Sequence, residues 1–226
     1  MAAQKLDRAL VVDTALRLLN ETGLEGLTLR RIATELNVKA PALYWHFASK
    51  QALLDEMATE MLRRMTAVGE GGGGQDGAAA ARPADWRQVL ATTCRTLRTG
   101  LLGYRDGAKV FSGTRLTDQG HTEGQNMLLE ILVSEGFQLG DAVQAFFTAY
   151  AYTIGFVIEE QAVQPLPGEG SPASAYDPAE RAARIGTDHP LAAAAGRDLF
   201  ADYDRRFERG LAIILAGVAA ELLPDA

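Results

Sequence analysis

Apolar side chains recur every three or four residues along most of this chain, and the gaps between the runs fall on residues that stop helices. Leu10, Val11, Ala15, Leu18 and Leu19 form a stripe over residues 6–22, closed by Gly23 in the position of a helix C-cap. Thr28 can cap a short helix over 29–36, and Asn37 tolerates the left-handed backbone that a tight turn demands. Pro41 suits the first turn of a third helix over 41–46, where its missing N–H would have no partner. Ser49 then caps a long amphipathic helix from 50 to about 66, with Leu53, Leu54, Met57, Met61 and Met65 spaced three or four apart.

The next stretch, 68–83, has no apolar face and many glycines, which predicts a flexible loop. Its run of four glycines is no phosphate cradle, since no GK[ST] follows and no strand precedes. Asp85, with Gln88 three residues on, predicts the start of a helix reaching 102; others follow over 106–112 and 118–134, the latter ended by Gly136. Residues 139–163 are apolar almost all round, with Phe146, Phe147, Tyr150, Tyr152, Ile154, Phe156, Val157 and Ile158, so this helix must be buried. Pro, Gly, Ser and Asp dominate 165–190, a predicted loop holding a short helix at 178–185. A last helix over 196–223 carries Leu199, Phe200, Tyr203, Phe207, Leu211, Ile214, Leu215, Val218 and Leu222. With no strand signal and no repeat, the expected class is all-α. The expected organisation is a small domain at 1–50, a connecting helix at 50–67, the loop at 68–83, and a larger helical domain at 84–226.

Charge changes this picture through its distribution. The chain has a net charge of −7. Yet residues 1–66 hold nine Lys/Arg against eight Asp/Glu, net +1, while the remainder is net −8. Phosphate binding needs a local basic face rather than a basic protein, so DNA binding is permitted by this balance without being indicated by it. Cys94 is the single cysteine, which rules out an intramolecular disulfide and any Cys-based zinc site. No apolar run reaches the roughly 18 residues of a membrane span, and 1–5 lacks the regions of a signal peptide, so a cytoplasmic protein with no membrane partner is expected. No GxSxG, HExxH or dinucleotide fingerprint gathers a nucleophile, base and acid. No catalytic residue, metal ligand or cofactor is expected; His121 and His189 lie in polar, turn-like contexts, and Cys94 reads as a core residue before a catalytic one.

Two short helices joined by a three- to four-residue turn, flanked by a helix on each side, have the dimensions of a helix-turn-helix. The text LTLRRIATELNVKAPALYWHFASKQALLDEMA sharpens this reading. Leu43, Tyr44, Trp45, His46, Phe47, Ser49 and Lys50 match the LYxHF motif and following S-K of the TetR family, which this chain resembles. RDGAKVxxGTR at 105–115 and TxGxVxExQ at 153–161 extend the resemblance, towards the tetracycline-repressor subgroup, over nearly the whole length.

That resemblance implies a homodimeric, ligand-responsive transcriptional repressor in which the helices at 139–163 and 196–223 pair with their counterparts as a four-helix bundle. Two recognition helices would read a palindromic double-stranded operator in successive major grooves. Arg30 can fork onto guanine O6 and N7, while Thr28, Tyr44, His46 and Lys50 would hold phosphates and fix register. Ala40 and Ala42, flanking Pro41, stand where the subgroup has glutamine and threonine, so a different operator is implied. Two readings stay open for Trp45, DNA contact or packing between helices, and two for His46, phosphate contact or a structural hydrogen bond. Arg31, Arg63 and Arg64 read as solvated charges.

The resemblance also places an effector cavity in the larger domain. The subgroup holds a magnesium-borne drug with a histidine and a glutamate; the glutamate survives as Glu159, but Phe111 replaces the histidine and offers magnesium no donor atom. Thr66, Thr93 and Leu97 stand where the subgroup has histidine, asparagine and phenylalanine. The expected effector is therefore a hydrophobic, planar or polycyclic small molecule and not magnesium-tetracycline. Leu97, Phe111, Met127, Phe147 and Phe156 are candidate walls, each equally placed to be plain core. Thr114 and Arg115 occupy the segment that, in the family, shifts on ligand binding. A DNA-binding dimer without any effector is the alternative.

Overall fold

The computed structural model describes residues 6–71, 85–163 and 177–223, and among these no strand occurs. Local chemistry sets the boundaries of the first four helices. Asp7 accepts the Leu10 N–H at 2.9 Å and starts α1 (Arg8–Gly26), whose last turn is broken at Gly23, where φ is 67°. A side chain there would run into Arg105 and Asp106, so this glycine serves both a backbone angle and a close approach. Thr28 accepts the Arg31 N–H at 3.2 Å and caps α2 (Leu29–Glu35). Asn37 turns the chain with φ of 53°, and α3 (Ala40–Tyr44) follows with its proline in the first turn. The predicted 41–46 is corrected at both ends: the N–H groups of His46 and Phe47 both turn back to the Leu43 carbonyl, which closes the helix early. Ser49 Oγ accepts the Ala52 N–H at 3.0 Å and starts α4 (Lys50–Gly71). This helix passes the end predicted for it, so 68–71 are helical rather than loop; the rest of the predicted loop lies outside the described residues.

The larger part comprises α5 (Trp86–Leu102), α6 (Gly107–Phe111), α7 (Gly120–Ser134), α8 (Leu139–Val163), α9 (Pro178–Ile185), α10 (Pro190–Ala194), α11 (Gly196–Leu199) and α12 (Tyr203–Leu222). Asp85 caps α5 through the Arg87 N–H, and Gly136, at φ 101°, stops α7. One prediction fails here. The continuous helix over 196–223 is two helices, because Asp202 takes a left-handed φ of 51° and caps a new start by accepting from the Arg205 N–H. A stripe of apolar residues continued across the break, so periodicity concealed it.

Among the described residues, packing divides into three buried clusters. The largest runs from α1 through Leu43, Phe47 and α4 into Leu97, Leu101, Phe111, Ile154 and Val157, so the small N-terminal unit and the larger domain share continuous apolar contact. A second joins Trp86, Leu90, Leu128, Leu132, Phe137 and Val218. Cys94, Ala149, Phe207 and Leu211 form the third, between α5, α8 and α12. Contrary to the sequence reading, α8 is long and apolar enough to cross a membrane by composition alone. One of its faces packs on α5 and α12 as a core helix, whereas Leu139, Val143 and Phe147 stand exposed.

Candidate nucleic-acid interface and effector domain

The turn between α2 and α3 lifts a compact set of side chains away from the core. Leu43 and Phe47 point inward and are buried, which forces Tyr44 and Trp45 outward; Trp45 is 90 % exposed. Packing between helices, one of its two readings, is thereby excluded. Thr28, Arg30, Pro41 and Lys50 are also exposed, and Ala40, Ala42 and His46 are half-buried. Arg30, Arg31, Lys39 and Lys50 form no side-chain hydrogen bond or ion pair with another described residue. Arg17 and Arg64, by contrast, are tied up in pairs with Glu21 and Glu35, and with Asp13 and Glu60. The surface of α2, α3 and the start of α4 thus combines uncommitted cations with two exposed aromatic rings, chemistry suited to phosphates and base edges.

The α2–α3 unit is braced from behind by a residue that sequence reading missed. Arg8 donates 2.7 Å to the His46 carbonyl, lies 4.6 Å over the Phe47 ring and reaches Glu56 at 2.8 Å. No local pattern marks it, because its partners lie 38 to 48 residues along the chain.

The candidate effector residues are less closely gathered. Leu97 and Phe111 share the largest buried cluster, and Thr114 donates back to the Phe111 carbonyl at 2.8 Å. Thr66 and Thr93 are exposed and spend their hydroxyl hydrogens on the carbonyls of Arg63 and Val89. Arg115 is exposed, its N–H donating to Asp55. Met127 is 64 % exposed and Phe147 58 %, and Glu159 also faces outward. A cavity of about 430 Å³ opens elsewhere, among Asp13, Leu16, Arg17, Asn20, Arg64 and Tyr104, and none of these candidates lines it.

The inward acid of α8 is Glu160 rather than Glu159. It takes a two-pronged contact from Arg98 at 2.6 and 2.9 Å, and Arg98 reaches Asp204 of α12 at 2.7 Å. Glu160 falls on the same helical face as Thr153 and Val157, both buried, and that spacing was the signal available in the sequence. Gln161 fixes the end of α8 to the turn before α6, donating to the Leu101 and Tyr104 carbonyls and accepting the Ala108 N–H. From the opposite side Asp106 accepts the Leu24 N–H at 2.9 Å, joining α6 to α1. Burial opposes ionisation of Asp106, but Lys109 and the Leu24 amide outweigh it and hold the carboxyl below its ordinary range. At Cys94 burial dominates and pushes the thiol up, away from the reactive thiolate.

Phe111 is the deciding residue for magnesium. It is buried among apolar side chains and has no lone pair to give, and among the described residues no three His, Cys, Asp or Glu side chains converge. The residues present do not fit a drug-borne magnesium ion.

Comparison with known proteins brings the two halves together. Residues 11–57 match the family described as bacterial regulatory proteins, tetR family, and residues 79–222 match the tetracyclin repressor-like C-terminal domain. The chain is 39 % identical over 221 residues to the tetracycline repressor protein class A from transposon 1721 of Escherichia coli, covering 97 % of this chain and 93 % of that one. Among solved structures it resembles a possible TetR family transcriptional regulator from Streptomyces coelicolor A3(2), with a TM-score of 0.76, 39 % identity, and coverage of 95 % and 99 %. It also resembles a single-residue variant of TetR from Acinetobacter baumannii AYE, solved in complex with minocycline, with a TM-score of 0.69, 32 % identity, and coverage of 96 % and 99 %.

Proposed function

This chain belongs to the tetR family of bacterial regulatory proteins, and from that membership we propose that it represses transcription as a homodimer that releases its operator when a small apolar molecule binds. It is a DNA-binding regulator, not an enzyme. The observation that carries the repressor reading is the surface formed by α2, α3 and the start of α4, where Tyr44, Trp45, Arg30 and Lys50 stand in solvent around buried Leu43 and Phe47. Its site of action is the cytoplasm, where the operator would be.

Support for the dimer comes from α8 and α12. Leu139, Val143 and Phe147 on one helix and Ile213 on the other leave an apolar band in water, a costly surface that a second copy would cover. Exposed Phe147, Met127 and Glu159 would then be half of a composite boundary rather than stray surface residues. The two recognition units would address half-sites about one helical turn apart.

The effector differs from the one its named relatives imply. Phe111 and Leu97 bring buried apolar side chains together and Thr114 places a hydroxyl beside them, a composition that would suit a planar or polycyclic hydrophobic molecule if the helices part to admit one. Selecting binding sites from random duplexes should return a pseudo-palindrome, and thermal shift against a compound panel should pick out apolar ring systems that also dissociate the protein from it. Recovery of no preferred sequence defeats the repressor reading. Stabilisation by hydrophilic compounds alone defeats the proposed effector class, and no response from any compound leaves a DNA-binding dimer without effector.

The contact roles predict a separation of effects. Arg30→Ala should relax preference at a single base pair by about 1–3 kcal/mol, since a forked guanine contact carries that much discrimination. Lys50→Ala should weaken every duplex alike and lower the salt slope by about one. Titrations on the selected operator and on single-base variants, at several salt concentrations, would expose any mixing of the two patterns.

A further inference from the structure

We infer that Glu56 links the end of the recognition helix, through Arg8, to the segment between α6 and α7, acting as a positioning residue through one shared carboxylate oxygen. Arg8 Nη1 holds the His46 carbonyl at 2.7 Å, just beyond α3, while Nη2 of the same guanidinium donates 2.8 Å to Glu56 Oε2. That oxygen also lies 3.1 Å from Thr117 Oγ1, sixty-one residues along the chain.

The hydrogen-bond inventory at Thr117 leaves little choice. Its N–H donates 2.8 Å to Thr59 Oγ1, and Thr59 sends its own hydroxyl hydrogen to the Asp55 carbonyl at 2.8 Å. Thr117 Oγ1 lies 3.1 Å from both Thr59 Oγ1 and Glu56 Oε2, but one hydrogen serves one acceptor well. The carboxylate is the stronger acceptor and takes it. Arg115 strengthens the attachment, its N–H donating 3.1 Å to Asp55, so two residues of one segment grip two adjacent acids of α4.

The arrangement has a directional consequence. Thr114, immediately before Arg115, already ties this segment to α6 through the Phe111 carbonyl. Displacement of the segment withdraws the Thr117 hydroxyl from Glu56. The freed carboxylate can then change its angle to Arg8, and Arg8 is the side chain that clamps the end of the recognition unit. Movement thus reaches α3 by a polar route, in addition to any shift of α4 as a body.

The inference rests on the operator-binding reading, and its test separates the two. Operator affinity, affinity for a scrambled duplex and amide exchange at His46 and Phe47 without DNA would be measured for wild type, Thr117→Val, Thr117→Ser, Glu56→Gln and the Thr117→Val/Glu56→Gln pair. Thr117→Val should weaken operator binding about threefold, as expected for one solvent-accessible hydrogen bond, and Glu56→Gln about threefold to tenfold. The double variant should be no weaker than Glu56→Gln alone, Thr117→Ser should behave as wild type, and exchange at His46 and Phe47 should quicken in both weakened variants. A Glu56 that merely repels phosphate would give the opposite sign, with Glu56→Gln binding both duplexes more tightly, and that result overturns the link. So does multiplication of the two single effects, or unchanged affinity and exchange in Thr117→Val. Should Glu56→Gln fail to fold, the Thr117→Val and Thr117→Ser comparison decides by itself. Should wild type recognise no operator, the repressor reading falls, while amide exchange still decides whether the link exists.

Discussion

Arg98→Ala should destabilise the folded chain by about 3–5 kcal/mol, the cost of stranding a buried charge after its partner is removed. The reason lies in the depth of the pair. Side-chain exposure is 12 % for Arg98 and 4 % for Glu160, and the guanidinium also lies 5.0 Å over the Phe207 ring and bonds Asp204. Three helices, α5, α8 and α12, meet at this one side chain. Its truncation leaves Glu160 without water or counter-charge and opens a gap beside Phe156 and Phe207. Urea unfolding monitored by circular dichroism would measure the loss. A double replacement, Arg98→Met with Glu160→Leu, should recover most of it, because a packed apolar pair often equals a buried ion pair in stability. A single-variant cost under about 1 kcal/mol would show that water reaches the pair in solution.

Phe47→Ala should cost a similar amount, about 3–5 kcal/mol, and should also abolish specific operator binding. Phe47 is 1 % exposed and belongs to the cluster that holds α1, α3 and α4 together, with Arg8 over its face. Alanine there leaves a cavity directly beneath the recognition helix, so stability and positioning fail together. Trp45→Ala is the informative control two residues away. Its ring is already in water, so stability should stay within about 0.5 kcal/mol of wild type while operator affinity falls. If Phe47→Ala lost stability but kept its operator preference, α3 would be held in place by something other than this packing.

Much of the N-terminal half was legible because its instructions are local. Thr28 and Ser49 cap by bonding an amide three residues on, Asn37 sets one turn angle, and Pro41 occupies a first turn; each works inside a window of a few residues. The short helix at 178–185 was legible for the same reason, with Asp177 capping and Pro178 following. The motif around Leu43–Lys50 carried the proposed recognition surface, since alternation of buried and exposed positions on a short helix determines which side chains face outward. Phe111 was equally informative, because a phenylalanine cannot ligate magnesium in any fold.

The sequence by itself therefore determined most of the helical elements, the family resemblance and the absence of a magnesium donor at Phe111, all of which follow from near-neighbour patterns and side-chain identity. Tertiary structure alone decided that Asp202 breaks the final helix, that Arg98 pairs with Glu160, and that Arg8, Glu56 and Thr117 meet. Those partners lie dozens of residues apart, and hydrophobic periodicity carries no information about which polar groups on different helices will touch. Only packing brings their atoms within hydrogen-bond distance.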